Sequence, residues 1–190
     1  MNNNTTRLNL GCSSYLLPGW VNVDCRALPG VDIVTDLEKR PWPWEDNSAD
    51  EIYASHVLEH LVAPLAAIME IHRVLRPGGT AKIIVPHANG ILAHAIGHKY
   101  LFGMQWFRDL SGNPDHQNDV GRLFSNAKFY LRVTYHRAPQ KRYILPWQWF
   151  WNCSFERQQR WECLGIIHPG EIEWMATKMA PASWAVRNIK

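Results

Sequence analysis

A strand that ends in glycine, followed by two segments that each end in an acid, could hold a nucleoside. The segment LNLGCSS begins at Leu8 and turns at Gly11, WVNVD closes on Asp24, and IVTDL carries Asp36. A glycine lets the backbone pass close to a ligand, and a strand-end carboxylate accepts hydrogen bonds from ribose hydroxyls. Taken singly, Gly11 reads as a turn and Asp24 as a cap, so it is the ordered series that carries weight. Histidines add a second kind of chemistry, because imidazole titrates near neutrality and can take a proton. His56 follows a fourth apolar segment and His87 a fifth, and Asp115-His116 sits in a loop.

These groups need a frame. Short apolar runs at Arg7 to Leu10, Trp20 to Asp24, Val31 to Thr35 and Glu51 to Ala54 are bounded by turn residues and predict strands. A helix is expected from about Pro64 to Leu75, with Pro64 in its first turn and Leu65, Ile68, Ile71 or His72, and Leu75 at helical spacing. Pro77-Gly78-Gly79 ends it, and Thr80 to Val85 supplies a fifth strand. Strand, helix and strand in this order indicate a parallel α/β sheet with right-handed crossovers. Open sheets of this kind bind ligands at the carboxyl ends of their strands, where His56 and His87 fall.

One feature strains this frame. Only nine residues, Gly11 to Gly19, join the first two strands, and six, Cys25 to Gly30, join the next two. A parallel crossover ordinarily takes a dozen residues or more, normally a helix. The early helices are therefore cut to single turns or missing. Part of one sheet face must be covered by the aromatic-rich second half or by another subunit. Further on, Ile91 to Phe107 and Asn126 to Val133 are expected to be helical, Ile172 to Met179 to be a late strand, and Ala180 to Lys190 a tail.

Composition narrows the class. The chain has 190 residues, 46% of them hydrophobic and 19% charged, which fits one globular domain and not a disordered chain. A net charge of +3 is too small to argue for nucleic acid. The polar start MNNNTT and the lack of a long apolar run predict a cytoplasmic protein with no membrane contact. Cys12, Cys25, Cys153 and Cys163 form no CxxC pair, so free thiols and no cysteine metal site are expected. Four of the ten tryptophans, Trp147, Trp149, Trp151 and Trp161, crowd one stretch. They read first as core and sheet cover, then as a wall for a flat or sugar-like molecule or an oligomer contact.

With these segments in view, the chain resembles the S-adenosylmethionine-dependent methyltransferases of the seven-stranded Rossmann-like class, especially a small bacterial-type branch. The resemblance rests on LNLGC, GWVNVD, DLE, PWPW, DEIYASHVLEHL, EIHRVLRPGG and VPH in fixed order from Leu8 to His87. Weaker echoes occur in NPDH at Asn113 and in the stretch from Trp161 to Trp174. It implies a single domain over 1–190, with 1–6 a polar arm, and a doubly wound, mostly parallel sheet. It also implies S-adenosyl-L-methionine as cofactor. Gly11, Cys12 and Ser13, with Asn9 in the strand beneath, would form the loop under the methionine part. Asp24 would take the ribose, while Asp36 and the Leu37 amide would meet the adenine. Ala54 and Ser55 would meet the cofactor's amine, and His56 would point to the reaction centre. The family's second loop glycine is Ser13 here, so the loop must accommodate a Cβ.

Methyl transfer to a hydroxyl needs in-line placement and removal of a proton, which nominates His56, His87, Asp115 and His116. His87 could equally cap the segment after it, and Asp115-His116 could be an Asx-turn. Glu59 and His60 read as structural, bonded to backbone or to each other at a short helical turn. His87, Asp115 and His116 could instead hold a divalent ion, but no spacing compels it and no metal is expected. The basic run Lys128, Arg132, Arg137, Lys141 and Arg142 reads as a solvated face. No [DNS]PP[YFW] follows the fourth strand and no Pro-Cys pair is present, so nucleic-acid bases are not the expected acceptors. The reading is O-methylation of a small metabolite or saccharide by a possible homodimer. N-methylation of a small amine or peptide, or a non-catalytic binding module, are the alternatives.

Overall fold

The computed structural model describes residues 5–103, 106, 129–136 and 171–179. It holds a seven-stranded sheet ordered β3-β2-β1-β4-β5-β7-β6. The strands are β1 (Arg7–Leu10), β2 (Val21–Asp24), β3 (Ile33–Val34), β4 (Ala49–Ser55), β5 (Leu75–Pro86), β6 (Phe129–His136) and β7 (Glu171–Lys178). The first five pair in parallel, and β7 runs antiparallel between β5 and β6. Strand order reverses between β1 and β4, so their carboxyl ends diverge there and leave a crevice.

The helix α1 (Pro64–Val74) covers one face of the sheet. Pro64 opens it without wasting a hydrogen bond, and Ala67, Ile68, Ile71 and Val74 are buried along one side. They join Leu8, Leu10, Val23, Ile52, Ala54, Ala81, Ile83 and Val85 in a single core that extends to Ile172, Trp174 and Ala176 on β7. The alternate residues of the strands face the other way and are mostly polar or aromatic, with Ile84 and Met175 among the apolar members. There Arg7 pairs with Glu51 at 3.0 Å, Lys82 pairs with Glu173 at 3.0 Å, and Trp20 meets Tyr53 edge-on.

The short early crossovers are as expected, and among the described residues neither contains a helix. Two asparagines substitute for one. Asn9 and Asn22 stand opposite each other on β1 and β2, and the Asn9 amide donates to Asn22 Oδ1 at 2.9 Å. Asn9 also donates to the Tyr15 carbonyl, Asn22 Oδ1 accepts from the Leu17 amide, and Asn22 Nδ2 reaches the Leu17 and Trp20 carbonyls. Both asparagines are buried, so the loop's backbone is satisfied by side-chain amides where a helix would have satisfied itself.

Three expected elements differ. Over Ile91 to Gly103 the helix expected from Ile91 to Phe107 is absent: a single 3-10 turn spans Ile91–His94, and Gly97 takes φ +94°; Trp106, the one described residue beyond, is helical. Leu92, Ala95 and Ile96, which suggested the periodicity, are exposed, while Phe102 bridges to His87 and is fully buried. The helix expected over Asn126 to Val133 is instead β6, whose β-branched and aromatic residues suit a pleated ribbon and which finds a partner in β7. Pro77-Gly78-Gly79 does not follow a helix end directly. α1 stops at Val74, and these residues bulge from β5, whose register jumps from Ala49↔Leu75 to Glu51↔Thr80. The tryptophan cluster, the Asp115-His116 loop, the tail and all of the basic run except Arg132, which is exposed on β6, lie outside the described residues.

Candidate functional site

A cleft of ≈ 350 Å³ opens where strand order reverses. Asn9, Leu10, Gly11, Cys12, Ser13 and Tyr15 line it from β1 and the loop after it, and Tyr53, Ser55 and His56 from β4. The size suits a nucleotide-like ligand. Its floor depends on Gly11, which holds φ +63° and whose absent Cβ would fall 2.4 Å from Val57 Cγ2. Val57 is β-branched, buried and adjacent to His56, so it has little freedom to yield. We expect Gly11→Ala to lower unfolding stability by about 1–3 kcal/mol, from the left-handed backbone and the overpacking together. A denaturant midpoint equal to that of the parent would show that Val57 gives way freely.

The loop accommodates Ser13 by letting it take the left-handed conformation itself, at φ +46°. Its amide donates to Asp24 Oδ2 at 2.9 Å, and its hydroxyl accepts from Arg26 Nη2 at 3.1 Å. The Arg26 amide and Nε converge on Asp24 Oδ1 at 3.0 and 3.2 Å. Burial pushes the Asp24 carboxyl up, but the Ser13 and Arg26 amides and the guanidinium outweigh it, so the group lies below its ordinary value. A charged acceptor therefore stands at the end of β2 beside the glycine loop.

Asp36 lies one strand further out, where its Oδ1 accepts the Glu38 amide at 3.0 Å. Leu37 is buried, and its carbonyl accepts from the Trp42 indole at 3.1 Å. Trp42 is fixed in turn by its amide on Glu70, and Arg73 binds Glu70 together with the Trp42 and Trp44 carbonyls. The PWPW segment thus pins the end of β3 to α1. Ala54 is buried in the core, so Ser55 is the residue of that pair that faces the cleft.

His56 ends β4 in a left-handed conformation, φ +55°, with its amide on the Ile84 carbonyl at 2.9 Å. Strained backbone of this kind in a non-glycine residue recurs at functional sites. The turn aims Nδ1 at Glu59 Oε1, 3.1 Å away, and Nε2 at Glu171 Oε1, 3.2 Å away. Glu59 is buried on the 3-10 turn Leu58–His60, and Glu171 opens β7. The hydrogen bond to Glu59 holds His56 above the ordinary imidazole value; burial works against this and Glu171 adds to it. His87 is not brought to the cleft. It is buried in its own turn, with Nδ1 accepting the Asn89 amide at 3.1 Å, the capping role open to it from the sequence. Asp115 and His116 lie outside the described residues.

Tyr15, Tyr53 and Glu171 were not singled out from the sequence. Tyr53 could have been, since it lies two residues before Ser55 and so on the same face of β4. Glu171 could not, because only the antiparallel pairing of β7 with β5 carries it to His56.

Residues 18–83 match the family model described as a methyltransferase domain. No curated protein matches the chain in sequence. Among solved structures, a SAM-dependent methyltransferase from Archaeoglobus fulgidus superposes with a TM-score of 0.56 at 14% identity, over 92% of this chain and 86% of that one. A chain of the Haloferax volcanii complex between the Trm112 activator and a methyltransferase gives 0.56 at 17%, over 93% and 84%. Haemonchus contortus phosphoethanolamine N-methyltransferase 2, in complex with S-adenosyl-L-methionine, gives 0.53 at 13%, over 95% and 50%. At these identities the structural likeness is one of fold. It places the described sheet in the Rossmann-like class, and the methyltransferase-domain match to residues 18–83 agrees with that fold. No helix among the described residues is long and apolar enough to cross a membrane.

Proposed function

We propose that the chain binds S-adenosyl-L-methionine along the carboxyl ends of β1 to β4 and methylates a hydroxyl of a small metabolite or saccharide. The residues present fit the cofactor: Gly11 leaves a cradle that a Cβ would fill, and Asp24 presents a charged acceptor beside it. Bound there, the cofactor supplies a methyl group already activated on a sulfonium. Gly11, Cys12 and Ser13 would underlie its amino-acid part, Asp24 its ribose, Asp36 and the Leu37 amide its adenine, and Ser55 its amine.

The observation that carries the hydroxyl reading is the pairing of His56 with buried Glu59. Glu59 favours Nδ1 as the protonated nitrogen, so Nε2, which Glu171 Oε1 approaches at 3.2 Å, would take the acceptor's proton once the acceptor displaces that carboxylate. An amine acceptor needs less help from a base, since its neutral form is already nucleophilic. Glu171 nevertheless favours a second reading: a half-exposed carboxylate 3.2 Å from Nε2 would also pair with an ammonium group, and the Haemonchus relative is named for an N-methylation. Titration calorimetry with S-adenosylhomocysteine, followed by its release from the methyl donor over hydroxyl and amine acceptors, decides between them. Release with hydroxyl acceptors supports the first reading and release with amines alone the second. Binding with no release on either, even with a partner protein supplied, would leave a non-catalytic binding module.

A further inference from the structure

Beyond the Glu59 oxygen that meets His56, a second cluster shares the same carboxylate. Glu59, His60 and His98 each offer one ligand atom, and the three atoms lie within 4.8 Å of one another. Two of the polar atoms are buried without a hydrogen-bond partner: Glu59 Oε2 and His98 Nδ1. A buried carboxylate oxygen on a residue 1% exposed costs free energy unless something meets it. His60 has the arrangement of a metal-binding histidine, since its Nδ1 faces the Gly97 carbonyl at 3.3 Å and leaves Nε2 as the coordinating nitrogen. The loop carrying His98 is fastened at this point by the Lys99 amide, which donates to the Glu59 carbonyl at 2.7 Å.

We infer that Glu59, His60 and His98 bind a divalent transition-metal ion of the zinc type, which clamps the loop at 95–100 to the turn after β4. Two imidazoles and one carboxylate suit zinc, and exclude magnesium and calcium, which require oxygen. Ligand atoms on a tetrahedral zinc ion stand about 3.3 Å apart, given bonds of about 2.0–2.1 Å. The cluster must therefore contract, and His60 is exposed enough to rotate inward. A fourth position remains for water. The site stands apart from the choice of methyl acceptor, because its test reads metal and not turnover.

Metal-free full-length protein is titrated with Co²⁺, whose visible d–d absorption reports four-coordinate binding. One equivalent is expected to bind, to be displaced by Zn²⁺, and to resist millimolar Mg²⁺. His98→Ala should lower the Co²⁺ affinity at least about tenfold, the smallest loss seen when even a supporting residue is removed. His98→Cys should keep stoichiometric binding and add a thiolate charge-transfer band. If His98→Ala does not fold, the cysteine variant decides. The proposal fails if no stoichiometric band forms, if Mg²⁺ displaces the ion, or if both His98 variants titrate like the parent. In that case the two imidazoles, 4.7 Å apart and edge-on, are only packed together.

Discussion

His56→Ala is expected to slow methyl transfer to a hydroxyl by about 10²–10⁴-fold while leaving cofactor affinity nearly unchanged. The side chain reaches the cleft from the end of β4, and Glu59 holds its orientation from beneath. The pH profile separates a base from a merely structural histidine. Only neutral imidazole accepts a proton, and His56 is held above 6.5 by Glu59 and Glu171. The rate should therefore climb with pH through an apparent value above 6.5. Glu59→Gln should move that limb downward, because the neutral amide no longer favours the charged ring. The same shift has a stability consequence of opposite sense. A group whose folded value is raised contributes stability that is fully present below its unfolded value, near 6.5, and is lost as pH rises through the folded value. Activity gained and stability lost over one pH interval would identify His56 in both measurements. A flat rate profile, or full activity in His56→Ala, would remove it from the chemistry.

Asp24→Ala is expected to weaken binding of S-adenosylhomocysteine by about 1–3 kcal/mol, roughly 5- to 150-fold. The carboxylate already gathers the Ser13 amide and the backbone and side chain of Arg26. Its removal would take away the acceptor proposed for the ribose and also release the left-handed Ser13 loop. A ribose diol arriving at Asp24 would compete with the Arg26 guanidinium, which is well exposed and can swing aside at little cost. Calorimetry at two salt concentrations checks both points. Unchanged affinity in the variant would mean that the ribose is held elsewhere.

Much of this frame was legible in the sequence because its determinants are local. Alternating apolar residues mark β1, β2 and β4, and Pro64 with a buried stripe marks α1. The strand ends then placed Gly11, Asp24 and His56 near one another before any contact was seen. What could not be read depends on partners distant in the chain. The stretch Ile91 to Ile96 has helical spacing, yet Leu92 and Ile96 are exposed among the described residues, and Gly97 turns the chain away. β6 becomes a strand only because β7 lies beside it, and Glu171 becomes a neighbour of His56 by the same pairing. The amide pair of Asn9 and Asn22 is likewise visible only once β1 and β2 are in register. His87 is an instructive opposite case: its position after a strand suggested chemistry, and the fold buries it with the Asn89 amide on its Nδ1.

The asparagine pair also determines how the entrance behaves on warming. Helices in such crossovers would weld the rim to the body through apolar packing, whereas two carboxamides tether it chiefly through polar links. The segment from Gly11 to Trp20 should then open as a separate unit, at less free energy than global unfolding requires. An occupant of the cleft would stiffen the same segment by mass action, so the rim is tightest when there is something to hold.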